Sequence, residues 1–120
     1  MKSPLLAAAP LTALIVGAAS LALGAPAAAS ADGATIYKQR CAVCHSGAAG
    51  PKLDGVYNRK AGAADFRYSP ALAKSGIVWN AKELDAYLAA PAARVPGTRM
   101  AVGLRDAAQR KAVIDYLKRQ

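Results

Sequence analysis

Both cysteines and the sole histidine of this 120-residue chain stand within five consecutive residues, Cys41-Ala42-Val43-Cys44-His45. No other feature restricts the fold as much. Two thiols three positions apart, followed at once by an imidazole, occupy little more than one turn of a helix, so one helical edge presents all three groups. Three chemistries use such a cluster: a thiol–disulfide couple, a zinc ion, and a covalently attached haem.

The length leaves room for one small domain, and residues 1–31 read as separate from it. Lys2 is followed by an uncharged stretch from Ser3 to Ala31 that is dominated by Ala and Leu and ends in Ala29-Ser30-Ala31. Charged start, apolar middle and small-residue exit are the parts of a secretory signal peptide, with cleavage expected after Ala31. An uncleaved membrane anchor is the second reading, because the apolar run reaches the roughly 20 residues needed to span a bilayer; Pro10, Gly17, Gly24 and Pro26 interrupt it. The domain is therefore expected over residues 32–120, in the periplasm or held at its membrane. Of the 16 Lys and Arg only Lys2 precedes residue 32, which leaves 15 against 7 Asp and Glu, a net charge of +8. That balance suits acidic partners. Export and the absence of any long Lys/Arg run speak against nucleic acid.

Strand signals are weak and helix punctuation is strong. Asp32 is placed to cap a first helix running into the cysteine motif. Ser69-Pro70 opens a short helix that stops near Gly76, Asn80 with Glu83 opens one that must end near Pro91, and Asp106 with Gln109 opens the last. Leu84, Tyr87 and Leu88 share one helical face, and Val113, Tyr116 and Leu117 another. Between the helices lie Gly- and Pro-rich loops, "GAAGPKLDG" and "PAARVPGTRMAVG". The fold class is all-α.

Structural zinc asks for four nitrogen or sulfur ligands and catalytic zinc for about three; with three such side chains in all, carboxylates would have to complete the set. A thioredoxin-like couple asks for a βαβ context, which the weak strand signals do not supply. C-x-x-C-H is the signature of covalent haem attachment. The thiols of Cys41 and Cys44 add across the haem vinyl groups, which places His45 as the proximal iron ligand. Counting then supplies the sixth ligand. Of the 2 Met, Met1 lies in the leader, so Met100 in the "PGTRM" loop is the remaining thioether. A His/Met-ligated iron carries electrons and does not readily bind substrate. If Met100 is instead packing, or labile, the protein is a haem protein that binds small ligands or has peroxidase-like activity.

In order, "CAVCH", "GPKLDGVYNRKAG", "FRYSPALAKSGIVW", "LDAYLAAP", "PGTRM" and "RKAVIDYL" resemble the class I cytochromes c, the mitochondrial and soluble bacterial family, from Gly33 to Leu117. The resemblance implies a small all-α fold in which the N- and C-terminal helices cross, with helices and loops wrapped around one haem c bound through Cys41 and Cys44. It implies that His45 and Met100 are the iron ligands, and that the Pro51 carbonyl accepts a hydrogen bond from His45. Arg59, Tyr68, Ser69, Trp79 and Thr98 match positions around the haem propionates. Tyr87 matches a tyrosine whose hydroxyl lies near the ligand sulfur, and Gly33 and Tyr37 against Val113 and Tyr116 match the helix crossing. Three departures stand out: a shortened segment from His45 to Pro51, Leu72 where a polar residue often meets a propionate, and Val102 where an aromatic often packs at the haem edge.

The expected function is that of a one-electron carrier and not an enzyme, with a dry pocket of Leu53, Tyr68, Trp79, Leu84, Tyr87 and Leu88. Arg40, Arg99 and Arg105, then Lys38 and Lys52, are expected to steer acidic redox partners to a monomer in transient complexes. A bc-type complex, a terminal oxidase, a photosynthetic reaction centre and a periplasmic dehydrogenase all suit that description.

Overall fold

The structure, a computed structural model, describes residues 1, 3–4, 8–10 and 32–120. The signal-peptide reading of residues 1–31 falls almost wholly outside the described residues. Among these, no helix is long and apolar enough to cross a membrane.

The chain enters through one helical path in three parts: α1 (Gly33–Ile36), a π-helical turn (Tyr37–Cys41) and α2 (Ala42–His45). Asp32 caps it as the sequence predicts, its carboxylate accepting from the Thr35 N–H at 2.8 Å. The π-helical turn was not legible in the sequence. Its hydrogen bonds reach one residue further than those of an α-helix, and the turn ends on Cys41, the first residue of the cysteine motif.

Next come α3 (Pro70–Ala73), α4 (Ala81–Ala89), α5 (Pro91–Arg94) and α6 (Ala107–Leu117). The caps are again the expected ones: Ser69 accepts from Leu72 N at 3.2 Å, Asn80 from Glu83 N at 2.9 Å and Asp106 from Gln109 N at 2.8 Å. Two boundaries differ from expectation. α3 ends at Ala73, and the chain then turns through Gly76 at φ 70°. Pro91 ends α4 as predicted but also begins α5, because its missing N–H and fixed φ suit the first helical position.

α1 and α6 cross, and the crossing depends on Gly33. A Cβ there would stand 2.1 Å from the Ala112 carbonyl oxygen and 2.8 Å from Tyr116 Cβ. Beside it the rings of Tyr37 and Tyr116 pack with centroids 5.2 Å apart. Ile36, Val113, Ile114 and Leu117 fill the junction, each 5% exposed or less. α4 lies against α6 and adds Leu84, Tyr87 and Leu88 to the same core.

The long segment between α2 and α4 has no named strand among the described residues, yet its backbone is pinned. Lys60 and Val78 form an isolated antiparallel bridge. Asn58 N–H donates to the Trp79 carbonyl and Trp79 N–H to the Arg59 carbonyl, both at 2.9 Å, and Ala61 N–H donates to Ile77 at 2.7 Å. Asn58 takes a left-handed φ of 64°, a conformation that asparagine accepts more readily than most residues.

Candidate functional site

The site begins at the end of α2. Cys41 is half-buried and Cys44 exposed, and the two thiols are not joined. Burial pushes the Cys41 thiol above its ordinary value, with Arg40 opposing only in part. A reactive thiol of an oxidoreductase needs the opposite shift. Among the described residues, no three His, Cys, Asp or Glu side chains converge as they would around a protein-held metal ion.

His45 is oriented from behind. Its Nδ1 lies 2.7 Å from the Pro51 carbonyl oxygen. A carbonyl only accepts, so Nδ1 donates in this bond, and in the neutral ring Nε2 is then the nitrogen with the lone pair. Gly50, buried, closes the gap: a Cβ there would meet His45 Nδ1 at 2.9 Å and Cε1 at 3.0 Å. The sequence reading put Gly50 in the "GAAGPKLDG" loop and gave it no role. The available signal was its place directly before Pro51, where close approach of the loop to the helix demands the smallest residue.

Met100 is half-buried against the core and lies in the loop between α5 and α6. The hydroxyls of Tyr87 and Thr98 are 2.6 Å apart, and Thr98 Oγ1 also accepts from the Met100 N–H at 3.4 Å. A buried tyrosine on α4 is thus tied, through one threonine, to the backbone that carries Met100. Burial holds the Tyr87 hydroxyl above its ordinary range. Gly97, at φ 91°, makes the turn into this segment.

The residues expected around the propionates are placed as follows. Ser69 is buried, with its hydroxyl accepting from Leu72 N as the cap of α3. Trp79 is buried and packs on Tyr87 with ring centroids 4.9 Å apart. Tyr68 is half-buried and meets Phe66 edge-on at 5.3 Å. Arg59 donates to the carbonyls of Asp54 and Lys52, each at 3.2 Å. Of the residues expected to line a mostly dry pocket, Trp79, Leu84, Tyr87 and Leu88 are buried, and Leu53 and Tyr68, both on loops, are half-buried. Val102 is exposed. Lys38, Arg40, Lys52, Arg99 and Arg105 are all exposed; Arg99 also donates to the Arg67 carbonyl at 3.1 Å and so fastens its loop to the one before α3.

This donor set fits a covalently attached haem. Two unjoined thiols share one helical edge, an imidazole beside them has its proton fixed on the far nitrogen, and a thioether is held in a braced loop. Cys41 and Met100 both pack against the buried aromatic and aliphatic core.

Comparison with known proteins points the same way. The sequence model of the cytochrome c family matches residues 30–120. A cytochrome c of Theileria parva is 44% identical over 100 residues, spanning 78% of this chain and 87% of that protein. Cytochrome c2 iso-2 of Magnetospirillum fulvum is 47% identical over 85 residues, spanning 65% and 88%. Among solved structures, cytochrome cH from Methylobacterium extorquens superposes with a TM-score of 0.69 at 36% identity and covers 73% of this chain and 95% of that one.

Proposed function

The chain belongs to the cytochrome c family, whose members carry electrons on a covalently bound haem c, and on that premise we propose that it is an exported one-electron carrier in which His45 and Met100 would hold the iron. The observation that carries the ligand assignment is the 2.7 Å contact between His45 Nδ1 and the Pro51 carbonyl, which leaves Nε2 as the ring nitrogen able to bind a metal.

When bound, the haem supplies an iron centre that gains and loses one electron, and His/Met ligation raises its reduction potential. The rest is the work of the chain. Cys41 and Cys44 anchor the group to the helix that α6 holds in place. The Pro51 carbonyl and Gly50 hold the His45 ring in one orientation, ready to bind the iron. The contacts from Tyr87 to Thr98 and from Thr98 to Met100 N–H keep the thioether in place. Fixed ligands mean little rearrangement on electron transfer. The apolar lining keeps water away.

The exposed cations Lys38, Arg40, Lys52, Arg99 and Arg105 favour acidic partner proteins, bound transiently. Export to the periplasm rests on the signal-like residues 1–31.

The test is the visible to far-red spectrum of the oxidised protein after maturation in a host that attaches haem, with N-terminal sequencing of the same sample. A c-type spectrum with the weak far-red sulfur-to-iron band, and a start near Asp32, is the expected result. Haem without that band removes Met100 from the assignment, and a start at Met1 removes cleavage.

A further inference from the structure

Met100 lies outside regular structure, so something must close the loop that carries it. The path back from Met100 to α6 is fastened at two residues, Gly103 and Leu104. Leu104 N–H donates to the Leu88 carbonyl of α4 at 2.7 Å. Gly103 lies so close to α4 that a Cβ would stand 2.5 Å from the same carbonyl and 3.0 Å from Pro91 Cδ. Arg110, on α6, donates Nε to Asp85 Oδ1 at 2.7 Å and Nη1 to the carbonyls of Leu104 at 3.0 Å and Arg105 at 2.7 Å.

The Arg110 side chain is 12% exposed, whereas that of Asp85 is 51% exposed. The ion pair is therefore partly screened; of the two carbonyl bonds, the one to buried Leu104 is part-buried and the one to Arg105 is exposed, so the Leu104 bond carries more of the restraint. Arginine is suited to this arrangement. Its planar fork sends Nε and Nη1 in different fixed directions, whereas a lysine offers one point charge at the end of a flexible stem. One side chain thus joins α6, α4 and the end of the Met100 loop.

We propose that Arg110 is a positioning residue for Met100: by clamping Leu104 and Arg105 it sets how often the loop opens, and so how readily the sulfur gives up its place to an outside ligand. The proposal rests on Met100 being an iron ligand. Leu104 N–H is its internal reporter, since that proton exchanges with solvent only when its bond to Leu88 opens.

The experiment uses the haem-loaded protein as wild type, Arg110→Lys and Asp85→Asn. Amide exchange is read at Leu104 and, as the control for global opening, at Val113, which is 0% exposed in the core. The rate of cyanide binding to the oxidised protein is read alongside. For Arg110→Lys the expected result is about tenfold faster exchange at Leu104 and about tenfold faster cyanide binding, with exchange at Val113 changed less than twofold. Asp85→Asn keeps both carbonyl bonds and is expected to raise the first two rates about threefold. Equal acceleration at Leu104 and Val113 in Arg110→Lys means a general loss of stability and overturns the proposal, as does an unchanged cyanide rate. A wild type without the far-red band overturns the ligand reading as well. A wild type that shows the band while both variants behave like it overturns the positioning role alone.

Discussion

Replacing Gly33 by alanine tests whether the helix crossing is as tight as the backbone implies. The new Cβ would lie 2.1 Å from the Ala112 carbonyl oxygen. An ordinary carbon–oxygen contact is about 3.3 Å, so α1 and α6 must part by about 1 Å. Neither side can give way by rotating a side chain, because the obstacle is the backbone of α6. A gap of that size forfeits a quarter to a half of the dispersion energy of the atoms facing it, and the nearest of those belong to Ala112 and Tyr116. Overpacking of this kind costs about 1–3 kcal/mol, and with no rotamer escape the upper end applies. Alanine returns at most about 1 kcal/mol through its better helix propensity. The net loss is about 2 kcal/mol, which lowers the midpoint of thermal unfolding by roughly 8–16 °C for a domain this small. Gly47→Ala is the control, since a Cβ there meets nothing within 4 Å; it is expected to leave stability unchanged or raise it by about 0.4–1 kcal/mol. Thermal unfolding followed by circular dichroism decides. Were Gly33→Ala to melt within about 2 °C of wild type, the tight crossing would be refuted, and with it the rigid placement of the helix that carries Cys41, Cys44 and His45.

Gly50→Ala is expected to push the His45 ring off the Pro51 carbonyl, because the added Cβ lies 2.9 Å from Nδ1. Weakening that bond makes the imidazole a poorer donor, and the reduction potential should rise by about 20 mV if roughly 0.5 kcal/mol of the bond depends on oxidation state; a voltammetric midpoint that is unchanged or lower counts against it. Tyr87 predicts a pH effect. Burial raises its hydroxyl above the ordinary value of about 10, so above that pH the unfolded chain gives up the proton first. Its contribution is intact below about pH 10 and is lost as pH rises past it. Melting temperatures from pH 8 to 11 should therefore fall less steeply in Tyr87→Phe than in wild type; parallel curves would show that Tyr87 does not titrate in this way.

How far the sequence reveals the molecule depends on the distance over which each feature is determined. Helix starts are local, and Asp32, Ser69, Asn80 and Asp106 each cap the helix that the sequence predicts. The His45 side of the site is nearly as local: its orienting carbonyl is only six residues away, so motif and support are read in one glance at residues 41–51. The Met100 side is not. Its braces run from Tyr87 to Thr98, from Leu104 to Leu88, from Arg99 to Arg67 and from Arg110 to Asp85, the last two across 32 and 25 residues. No periodicity or cap encodes such pairs; they follow from how α4 and α6 pack. The π-helical turn belongs to the same class, because YKQRC carries no Pro or Gly that marks the change of pitch. The two sides should therefore respond differently to mutation. The support of the His45 ring itself lies within residues 41–51, although its helix depends on the Gly33 crossing, whereas the Met100 side can be loosened from α4, from α6 or from the loop before α3. Ligand loss from distant substitutions should accordingly fall on the sulfur before it falls on the imidazole.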